Sequence, residues 1–591
     1  MLRSHTCGEL REGDAGREVT LAGWVHTRRD HGSVTFIDLR DRYGITQIVA
    51  SAKDQPEAHA ALKDVRGEWV LRIRGAARER PAGTRNDKLA TGGIEVVAGA
   101  VEVLNPAKTP PFYVNEETPV DETLRWKYRY IDLRRERSRE LMRLRHEVVD
   151  HIRGYFIERG FWEIETTNLI RSDPTGARDF VVPSRYYPGR FWALPQSPQQ
   201  LKQILMYGGI DKYFQIARAY RDEDPRADRV YEHTQLDVEM AFVEREDVMA
   251  LIEDLYSGIV ARFSSKPLLQ KPWPRLTFEE AMRRFGSDKP DLRFGMELAD
   301  LSDAVRGTGF AVFRDAVAKG GVVRGVVVPG KADASRKEID GWTEVAKRKG
   351  AKGLASFALA GSEVRSPVAK FLSADELAAL RAASGAREGD LLLTVADQPR
   401  LASESLGTLR QHLGETLGLI DDSRHCAVLI HEFPLVERTA DGWTFSHNPF
   451  SGPLTPDELR WLDTDPERAR SSQYDFALDG RETAGGSVRI HRRDWQERIF
   501  ALMGIGKEEA QERFGALLDA LEYGAPPEGG FAGGIERLVM TLAGTENIRE
   551  VQAFPKTQTG YDPLLDAPAP LAPEQLEELG LRVVRGERPG S

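Results

Sequence analysis

Arg221-Asp222-Glu223-Asp224 opens the most informative stretch of this sequence, which continues to Thr234-Gln235-Leu236-Asp237-Val238-Glu239. A second stretch, Gly533-Gly534-Ile535-Glu536-Arg537, follows about 300 residues later. Each contains an arginine, whose guanidinium is a rigid fork of donors that matches a phosphate. Two such arginines from distant segments suit a bent triphosphate. The two stretches therefore predict a shared cavity in which a nucleotide is bound and activated.

The length and composition indicate an ordinary multidomain protein. A chain of 591 residues is expected to form three or four domains, because single cores stop growing at roughly 250 to 300 residues. Hydrophobic residues make up 41% and charged residues 29%, and no apolar run approaches the roughly 18 residues that a membrane span needs. The two cysteines, Cys7 and Cys426, exclude a disulfide framework and fit a reducing compartment. We therefore expect a cytoplasmic protein with no membrane partner.

The net charge of −10 argues against a general polyanion binder, but the charge is unevenly distributed. Residues 1–105 hold 16 Lys and Arg against 15 Asp and Glu, a local charge of +1, so the remaining residues carry −11. The first segment is therefore the part of the chain that repels a nucleic acid least.

Alternating and apolar-rich segments in this first part predict five strands. They lie near residues 19–28, 34–42, 45–52, 68–80 and 94–105. A short helical pattern at 56–62 separates the third strand from the fourth. This order predicts an OB-fold barrel over residues 1–105, a fold that commonly binds single-stranded nucleic acid.

Changes in composition divide the rest of the chain. A Pro-rich segment begins a linker or hinge at 106–137, because prolines stiffen the backbone and remove donors. An Ala- and Gly-rich texture at 287–425 indicates an inserted domain, since motifs on both sides place it within one catalytic fold. That fold is predicted at 138–286 and 426–556, and residues 557–591 form a C-terminal extension.

Further motifs complete the pattern. They are Trp24-Val25, Arg28-Arg29-Asp30, Phe36-Ile37-Asp38-Leu39-Arg40-Asp41, Tyr128-Arg129-Tyr130-Ile131-Asp132-Leu133-Arg134, Gly176-Ala177-Arg178-Asp179-Phe180, Leu194-Pro195-Gln196-Ser197-Pro198-Gln199 and Phe285-Gly286-Ser287-Asp288-Lys289-Pro290-Asp291-Leu292-Arg293. With the two stretches above, they resemble the motifs of bacterial-type aspartyl-tRNA synthetases, which are class II enzymes, over essentially the whole chain. The resemblance implies an α+β multidomain fold with an OB-fold anticodon-binding barrel, an antiparallel catalytic sheet flanked by helices, and an inserted α+β domain. It also implies a homodimer.

The resemblance implies a two-step reaction with ATP, L-aspartate and tRNA(Asp). The carboxylate of aspartate attacks the α-phosphate of ATP, pyrophosphate leaves, and the aspartyl group passes to the terminal adenosine of the tRNA. Because a carboxylate is already a nucleophile, catalysis should come from alignment and from neutralising charge at phosphorus. By resemblance, Arg221 bridges the α-phosphate and the amino acid carboxylate, Glu223 lies near the adenine, and Arg537 binds the γ-phosphate.

The resemblance also assigns the rest of the ATP site. The remaining candidates are Asp222, His233, Gly534, Ile535 and Glu536. Of these, His233 would stack on the adenine. Asp475 and Glu482 resemble the carboxylates that hold Mg²⁺ against the phosphates of ATP, as hard oxygen ligands do. The alternative for these two residues is a solvated acidic pair.

Aspartate is the amino acid that the predicted site selects. By resemblance, Arg489 pairs with the side-chain carboxylate of the substrate, and Asp237 orients this arginine. The other candidates are Thr175, Gln199, Lys202, Arg221 and His447. A site built to satisfy a carboxylate leaves charges unpaired when asparagine enters, which can reject the amide by roughly 10⁴ or more.

Four residues of the barrel are candidates for anticodon recognition. Phe36 is placed to stack on a base and Gln47 to read its edge, and Arg28 joins them by resemblance. The alternative for Phe36 is a core residue that faces into the barrel. His31 lies in the first barrel turn, where relatives that charge both tRNA(Asp) and tRNA(Asn) look similar. It favours relaxed tRNA choice, with tRNA(Asn) as a second partner.

Several positions depart from the family pattern. They are Thr167 at the dimer-interface motif, Thr175, Val230, His233 and Asn448 around the site, and Gly533 with Glu536 in the second stretch. The charged catalytic residues are retained. We therefore expect an active enzyme with weakened affinity for aspartate or ATP.

Two other functions stay open at this point. One is a duplicated synthetase that acts as an RNA-binding or regulatory protein, which the retention of Arg221, Glu482 and Arg537 disfavours. The other is an asparagine-related synthetase. Lys202 and Arg489 disfavour it, because both suit a carboxylate.

Overall fold

The structure, a computed structural model, describes residues 1–116, 118–172, 177–361, 363–440 and 442–584. It contains two compact units. The first consists of Met1–Arg143 and Arg549–Pro570, and the second of Leu144–Ile548 and the chain from Leu571 onward. The finer domain boundaries that the sequence suggests stay predictions.

Residues 18–105 of the first unit form a closed five-stranded barrel. Its elements are β1 (Glu18–Asp30), β2 (Val34–Asp41), β3 (Gly44–Ser51), α1 (Pro56–Leu62), β4 (Val70–Glu79) and β5 (Ile94–Asn105). The strands close in the order β1-β2-β3-β5-β4, and only β3 and β5 of these pairs run parallel. Alternate residues such as Val19, Leu21 and Val25 fill the interior. The predicted OB-fold is confirmed.

The predicted linker carries two short helices, α2 (Glu122–Lys127) and α3 (Arg129–Asp132). Arg129 is 1% exposed and donates to the carbonyl oxygens of Gln552 and Ala553 at 2.8 and 2.9 Å. Its guanidinium also pairs with Asp132. This segment is therefore anchored within the first unit by a buried, hydrogen-bonded arginine.

The other elements follow in chain order. In the described part of the chain, the further strands are β6 (Trp162–Glu163), β7 (Val181–Pro183), β8 (Phe191–Ala193), β9 (Lys212–Tyr220), β10 (Glu232–Ala241), β11 (Arg275–Thr277), β12 (Leu298–Asp300), β13 (Val322–Val328), β14 (Ala355–Ala360), β15 (Glu363–Arg365), β16 (Leu391–Asp397), β17 (Ala427–His431), β18 (Val436–Thr439), β19 (Gly442–Phe445), β20 (Tyr474–Leu478), β21 (Arg481–Val488) and β22 (Glu528–Gly534). The further helices there are α4 (Glu136–Glu158), α5 (Gln199–Tyr207), α6 (Arg245–Phe263), α7 (Phe278–Phe285), α8 (Ala311–Ala318), α9 (Arg336–Lys347), α10 (Ala374–Ser384), α11 (Pro399–Thr416), α12 (Arg493–Leu502), α13 (Lys507–Leu521), α14 (Ile535–Leu542) and α15 (Pro573–Glu578).

The second unit is built on a sheet that has eight strands over the described residues, in the order β11-β17-β20-β21-β22-β10-β9-β6. Its pairs are antiparallel except for β11 with β17 and β6 with β9, at the two edges. Helix α5 contacts β9 and β10, α6 contacts β22, and α14 contacts β10. The predicted antiparallel catalytic sheet flanked by helices is confirmed.

A separate sheet lies between β11 and β17 in the chain. Within the described residues it has five strands, in the order β12-β13-β16-β14-β15. Val326 and Leu393 pack in the same core as α9 and α11, whereas Val323 and Leu392 pack with α8 and α10. The two cores separate because side chains alternate along each strand. This sheet with its helices is the α+β insertion that the sequence predicts.

The C-terminal extension contains helix α15, which begins at Pro573 because the fixed φ of proline suits the first turn of a helix. Among the helices that the structure describes, none combines the length and apolar character needed to cross a bilayer.

Candidate active site

One cavity of about 450 Å³ in the second unit collects most of the predicted residues. Its wall contains the candidates Gln199, Arg221, Glu223, His233, His447, Glu482, Arg489, Gly534, Glu536 and Arg537. They come from α5, β10, β21 and α14 and from the segments beside them. Arg221 and Arg537, far apart in the sequence, therefore share a cavity.

A larger cavity, of about 1180 Å³, lies elsewhere in the second unit. Its wall includes residues of α7 and α11, the turn 479–481 and the end of α14. None of the predicted site residues that the structure describes lines it. The smaller cavity is the candidate active site, because convergent polar groups identify a site better than volume does.

Strand β10 supplies an acidic floor beneath the smaller cavity. Its alternation places Gln235, Asp237 and Glu239 on one face, and all three side chains are buried. Gly530 of β22 stands directly across from Glu239. A Cβ atom on Gly530 would lie 2.5 Å from Glu239 Oε2 and 2.0 Å from the carbonyl oxygen of Val238. Only glycine therefore fits against this carboxylate.

Arg221 reaches the cavity from the loop that follows β9. Its backbone N–H donates to the carbonyl oxygen of Tyr231 at 2.7 Å, which fixes the start of the loop. Its Nε is buried and has no hydrogen-bond partner among the described residues. Burial lowers the pKa of Arg221, and Arg537 lowers it further, against the effect of three nearby carboxylates. Arg221 is thus an incompletely paired cation that suits an anionic ligand.

Arg537 lies in the first turn of α14, directly after β22. Its Nη1 donates to the carbonyl oxygen of Glu482 at 2.5 Å, and its Nη2 is 3.8 Å from Asp228 Oδ2. The side chain is 32% exposed. The backbone contact therefore orients the guanidinium while leaving donors for a phosphate.

The pKa of His233 is lowered by burial and by the positive charge of both arginines. Burial lowers the pKa of His233 to about 3, and Arg221, Arg537 and Arg218 contribute to the change. The imidazole is therefore neutral at physiological pH. A neutral aromatic ring is the form that can stack on a base beside two cations, and the stacking itself stays a prediction.

Glu223 and Asp222 are both engaged with arginines. Glu223 Oε2 accepts from Arg229 Nη1 at 2.6 Å. Asp222 Oδ2 is 3.5 Å from Arg178 Nε, and Asp222 lies outside the cavity wall. Arg229 therefore belongs to the site as the partner of Glu223, a role that no motif of the sequence indicates.

Ile535 is 1% exposed and buried in the core, whereas Glu536 lies in the cavity wall and is hydrogen-bonded to the protein. Glu536 Oε2 accepts from the Thr234 N–H at 2.9 Å, and Oε1 is 3.0 Å from Arg145 Nη2. Glu536 thus ties α14 to β10, and its contact with ATP stays a prediction.

Asp475 and Glu482 lie on the neighbouring strands β20 and β21. Burial raises the pKa of Asp475 well above its usual range, and Glu482 and Asp288 raise it further. Lys289 Nζ is 3.9 Å from Glu482 Oε2. No group of three or more His, Cys, Asp or Glu suited to a metal occurs among the described residues. Asp475, whose charge Glu482 disfavours, nevertheless fits Mg²⁺ together with Glu482, because Mg²⁺ takes one or two carboxylates and completes its shell with phosphate and water.

Arg489 is held by Glu239, not by Asp237, which corrects the prediction. Its Nε and Nη2 donate to the two Glu239 oxygens at 2.8 and 3.1 Å. Its Nη1 donates to Ser487 Oγ at 2.7 Å, and Nη2 also donates to the Gly530 oxygen at 3.2 Å. Of the five N–H donors of a guanidinium, one on Nη1 is left over among these contacts. Glu239 outweighs the effect of burial, so the pKa of Arg489 is raised.

Asp237 is bound by Lys202 and not by Arg489. Lys202 Nζ donates to Asp237 Oδ1 at 3.1 Å and lies 3.3 Å from Glu239 Oε2. It also donates to the carbonyl oxygens of Val238 and Phe531. Lys202 lies outside the cavity wall, where it supports the acidic floor, and its contact with substrate stays a prediction. The other Asp237 oxygen, Oδ2, is buried and has no partner among the described residues.

Gln199 and His447 lie in the cavity wall. Gln199 Nε2 is a second buried donor with no partner in the described part of the chain. Burial lowers the pKa of His447, against the effect of Glu482. The remaining candidate, Thr175, lies outside the residues that the structure describes.

Phe36 and His31 form a pair on the barrel. Phe36 is part-exposed while its neighbour Ile37 is buried, so the ring lies outside the core and the inward alternative is wrong. The rings of Phe36 and His31 meet edge to face, with centroids 5.8 Å apart. This pair is accessible to a base, and its contact with an anticodon stays a prediction.

Gln47 and Arg28, unlike Phe36, make side-chain hydrogen bonds within the barrel. Gln47 Nε2 donates to Glu95 at 2.8 Å and its Oε1 accepts from Arg29 at 3.1 Å. Arg28 donates to the carbonyl oxygen of Leu62 at 3.1 Å and pairs with an aspartate of its own strand. Their roles in reading an anticodon stay predictions.

Glu239 is the main residue that sequence reasoning missed. The signal was present, because the period of two that relates Asp237 to Glu239 puts both on the same face of a strand. The motif alone assigned a role to Asp237. Identifying the partner of Arg489 requires knowing that Gly530 leaves room for the longer side chain.

Two family models match the chain. The model of tRNA synthetases class II (D, K and N) matches residues 121–558, and that of the OB-fold nucleic acid binding domain matches residues 19–104. The Aspartate--tRNA(Asp/Asn) ligase of Rubrobacter xylanophilus is 53% identical, covering 98% of this chain and 96% of its own length. The protein of the same name from Moorella thermoacetica is also 53% identical, over 98% and 96%.

Two solved structures are similar in fold. The asparaginyl-tRNA synthetase from Pyrococcus horikoshii complexed with asparaginyl-adenylate has a TM-score of 0.60 at 19% identity, over 94% of this chain and 99% of that one. A putative aspartyl-tRNA synthetase from Leishmania major Friedlin has a TM-score of 0.58 at 18% identity, over 93% of each chain. Identities this low show the fold alone, whereas the family model and the relatives cover most of the sequence. The chain therefore belongs to the tRNA synthetases class II (D, K and N).

Proposed function

We propose that this chain is an aspartate–tRNA ligase that serves tRNA(Asp) and tRNA(Asn). It activates L-aspartate with ATP to aspartyl-adenylate, releases pyrophosphate, and transfers the aspartyl group to the 3′-terminal adenosine. Relatives named Aspartate--tRNA(Asp/Asn) ligase that share about half of its residues support the proposal. The two cysteines are free and buried, as suits a protein of the cytoplasm, where we place it.

A set of incompletely paired groups around one cavity carries the proposal. Arg221 Nε and Gln199 Nε2 are buried donors, and Asp237 Oδ2 is a buried acceptor, all without partners among the described residues. Arg489 adds one N–H from its Nη1. An acidic amino acid supplies the complement, because it has two carboxylates and one ammonium group. Buried polar atoms of this kind are costly unless a ligand pairs with them.

The phosphates of ATP would be bound by the arginines. Arg221 would neutralise charge at the α-phosphate while holding the attacking carboxylate, and Arg537 would hold the γ-phosphate. No side chain needs to act as a nucleophile, since the substrate carboxylate is one. Asp475 and Glu482 would hold Mg²⁺, which supplies further neutralisation of phosphate charge when it is bound.

Asparagine activation is the second candidate function, and Arg489 in the cavity wall disfavours it. The amide of asparagine carries no charge to pair with Arg489. A site that presents a guanidinium to the side chain of its substrate rejects the uncharged analogue, because the charged donor is left without its acceptor.

Homodimer formation is supported by a group of exposed apolar side chains within one stretch of the chain. Between residues 157 and 192, large apolar or aromatic side chains are 41–80% exposed: Ile157, Trp162, Leu169, Val181, Tyr186, Tyr187, Phe191 and Trp192. Trp162 lies on β6, the edge strand of the eight-stranded sheet of described residues. A concentration of exposed apolar groups marks an interaction surface, and an edge strand with unpaired backbone groups suits a second copy.

Charging of purified tRNA(Asp) and tRNA(Asn) with labelled L-aspartate tests the proposal. We expect both tRNAs to be charged, and Phe36→Ala to reduce charging while leaving pyrophosphate exchange unchanged. Tyr43→Ala, which removes another exposed aromatic ring of the barrel, is the control and should keep charging intact. Charging of tRNA(Asp) alone would contradict the relaxed choice attributed to His31. Charging of neither would contradict the proposed ligase.

A further inference from the structure

A third acid, Glu528, lies close to Arg489. It opens β22 and is 0% exposed. Its backbone oxygen accepts from the Arg489 N–H at 2.8 Å. Neither carboxylate oxygen has a partner at normal hydrogen-bond geometry among the described residues. A buried carboxylate in this position is costly when it is charged.

The polar groups around Glu528 come from three elements. Helix α5 contributes Tyr207 and Gln203, β10 contributes Glu239, and the chain after β21 contributes Arg489. Burial raises the pKa of Glu528 well above its usual range, and Glu239 raises it further. Tyr207, Arg489 and Gln203 oppose the rise. These three groups do not restore the usual pKa of Glu528, because the Nε and Nη2 of Arg489 already donate to the two carboxylate oxygens of Glu239.

The net charge of this buried cluster, which contains Lys202, Arg489, their two acidic partners on β10 and Glu528, decides whether it can bind an acidic side chain. The cations Lys202 and Arg489 each pair with an acid of β10, so these ion pairs are neutral overall. An ionised Glu528 would bring the group to −1 before any substrate entered. The side-chain carboxylate of aspartate would then approach an excess negative charge in a region of low dielectric constant. A protonated Glu528 removes that excess.

We propose that Glu528 is a positioning residue that carries a proton in the aspartate-binding form, and that this proton leaves Arg489 able to accept an acidic side chain. This inference rests on the proposed function, because it concerns how the same site selects its amino acid. An acid is protonated at low pH and loses its proton as the pH rises. Aspartate binding should therefore weaken on the alkaline side, whereas binding of uncharged asparagine should not.

The test compares the wild-type protein with Glu528→Gln, which keeps the shape of the side chain and is always neutral. Infrared difference spectra at pH 7 should show the band of a protonated carboxylic acid that only the wild type has. The pH is then raised until that band disappears. Over this range, the ratio of the KM for L-aspartate to the KM for L-asparagine in pyrophosphate exchange should rise about tenfold in the wild type. Glu528→Gln should hold this ratio within about twofold. Glu508→Gln, at an exposed position of α13, is the control and should follow the wild type.

A second variant links the two readouts. The Tyr207 hydroxyl opposes the rise in the pKa of Glu528, so Tyr207→Phe should move the loss of the band and the loss of aspartate affinity to higher pH together. Absence of the band at pH 7, or its loss without a change in the ratio, would overturn the role of Glu528. The same pH profile in the wild type and Glu528→Gln would also overturn it. A wild-type protein with no aspartate-dependent exchange at any pH would instead contradict the proposed function.

Discussion

Arg221 and Arg537 line the same cavity, but different contacts hold their side chains in place. Arg221 is set by the backbone of its loop and keeps a buried Nε without a partner among the described residues, whereas Arg537 is oriented by the carbonyl oxygen of Glu482. The charge of both is partly uncompensated at the cavity, and it adds to the effect of burial that lowers the pKa of His233 and keeps its ring neutral. These are the residues that motif recognition identified from the sequence. The period of two placed Glu239 on the same strand face as Asp237, but the roles of Glu239 and Glu528 follow from close packing across β10 and β22, which the motifs do not show.

At this scale, Arg221→Lys should lose most of the activity while keeping the charge. A lysine cannot present the paired donors of a guanidinium, so kcat/KM for pyrophosphate exchange should fall by roughly 100-fold, about 2.7 kcal/mol. Arg336→Lys, at a highly exposed position of α9, is the control and should change nothing. An Arg221→Lys enzyme within a few-fold of the wild type would show that the fork is dispensable.

His233 makes a prediction about pH. Because its pKa is about 3, the imidazole takes up a proton only in strong acid, and the KM for ATP should not change between roughly pH 5.5 and 8 on its account. His233→Phe should therefore keep both the affinity and its pH profile, whereas His233→Ala should raise the KM by about tenfold through loss of a stacking surface. A step near pH 6.5 in the wild type that His233→Phe lacks would be inconsistent with a neutral histidine.

The pairing of strands β10 and β22 determines the shape of the part of the site that is proposed to bind the amino acid. Their register sets Gly534 against Gln235, Ala532 against Asp237 and Gly530 against Glu239. The small residues of β22 make room for the polar residues of β10.

The barrel strands were predictable because their alternation is local in sequence. The order of the eight-stranded sheet was not, because pairs such as β10 with β22 and β11 with β17 join strands that are far apart in the chain, and pattern reasoning contains no information on such pairings.

Gly530→Ala tests this packing. Its Cβ would lie 2.0 Å from a backbone oxygen and 2.5 Å from Glu239, so the strands must separate or the carboxylate must move. We expect a loss of stability of about 1 to 3 kcal/mol and a fall in aspartate affinity. The control is Gly154→Ala in α4, where nothing lies within 4 Å of the new methyl group and the helix should gain slightly. Thermal unfolding and exchange kinetics measure the two effects, and an unchanged Gly530→Ala protein would refute the packing argument.

The whole molecule combines two compact units with different tasks. The first carries a barrel with the part-exposed Phe36 beside His31, and the second carries the charged cavity and the exposed apolar side chains between residues 157 and 192. The fold and the family could be predicted from motifs that are spread over the entire chain. The assembly could not, because exposure of side chains such as Trp162 becomes known only when the sheet edge is placed.

At this scale, Trp162→Glu should weaken the proposed dimer. The tryptophan is 63% exposed in one chain, and a buried carboxylate in its place would lack a partner at an interface between two copies. Sedimentation velocity should show a dimer for the wild type and a shift to monomer for the variant. Tyr523→Glu, which changes an 89% exposed aromatic residue elsewhere, is the control. A wild-type monomer at all concentrations would contradict the dimer.

The exchange of labelled pyrophosphate into ATP, measured with L-aspartate and separately with L-asparagine, tests the central claim most directly. If the cationic groups of one cavity hold ATP and an acidic amino acid in line, exchange should depend on L-aspartate and be lower by roughly 10⁴ with L-asparagine. Exchange that occurs equally with both amino acids, or with neither, would contradict the account.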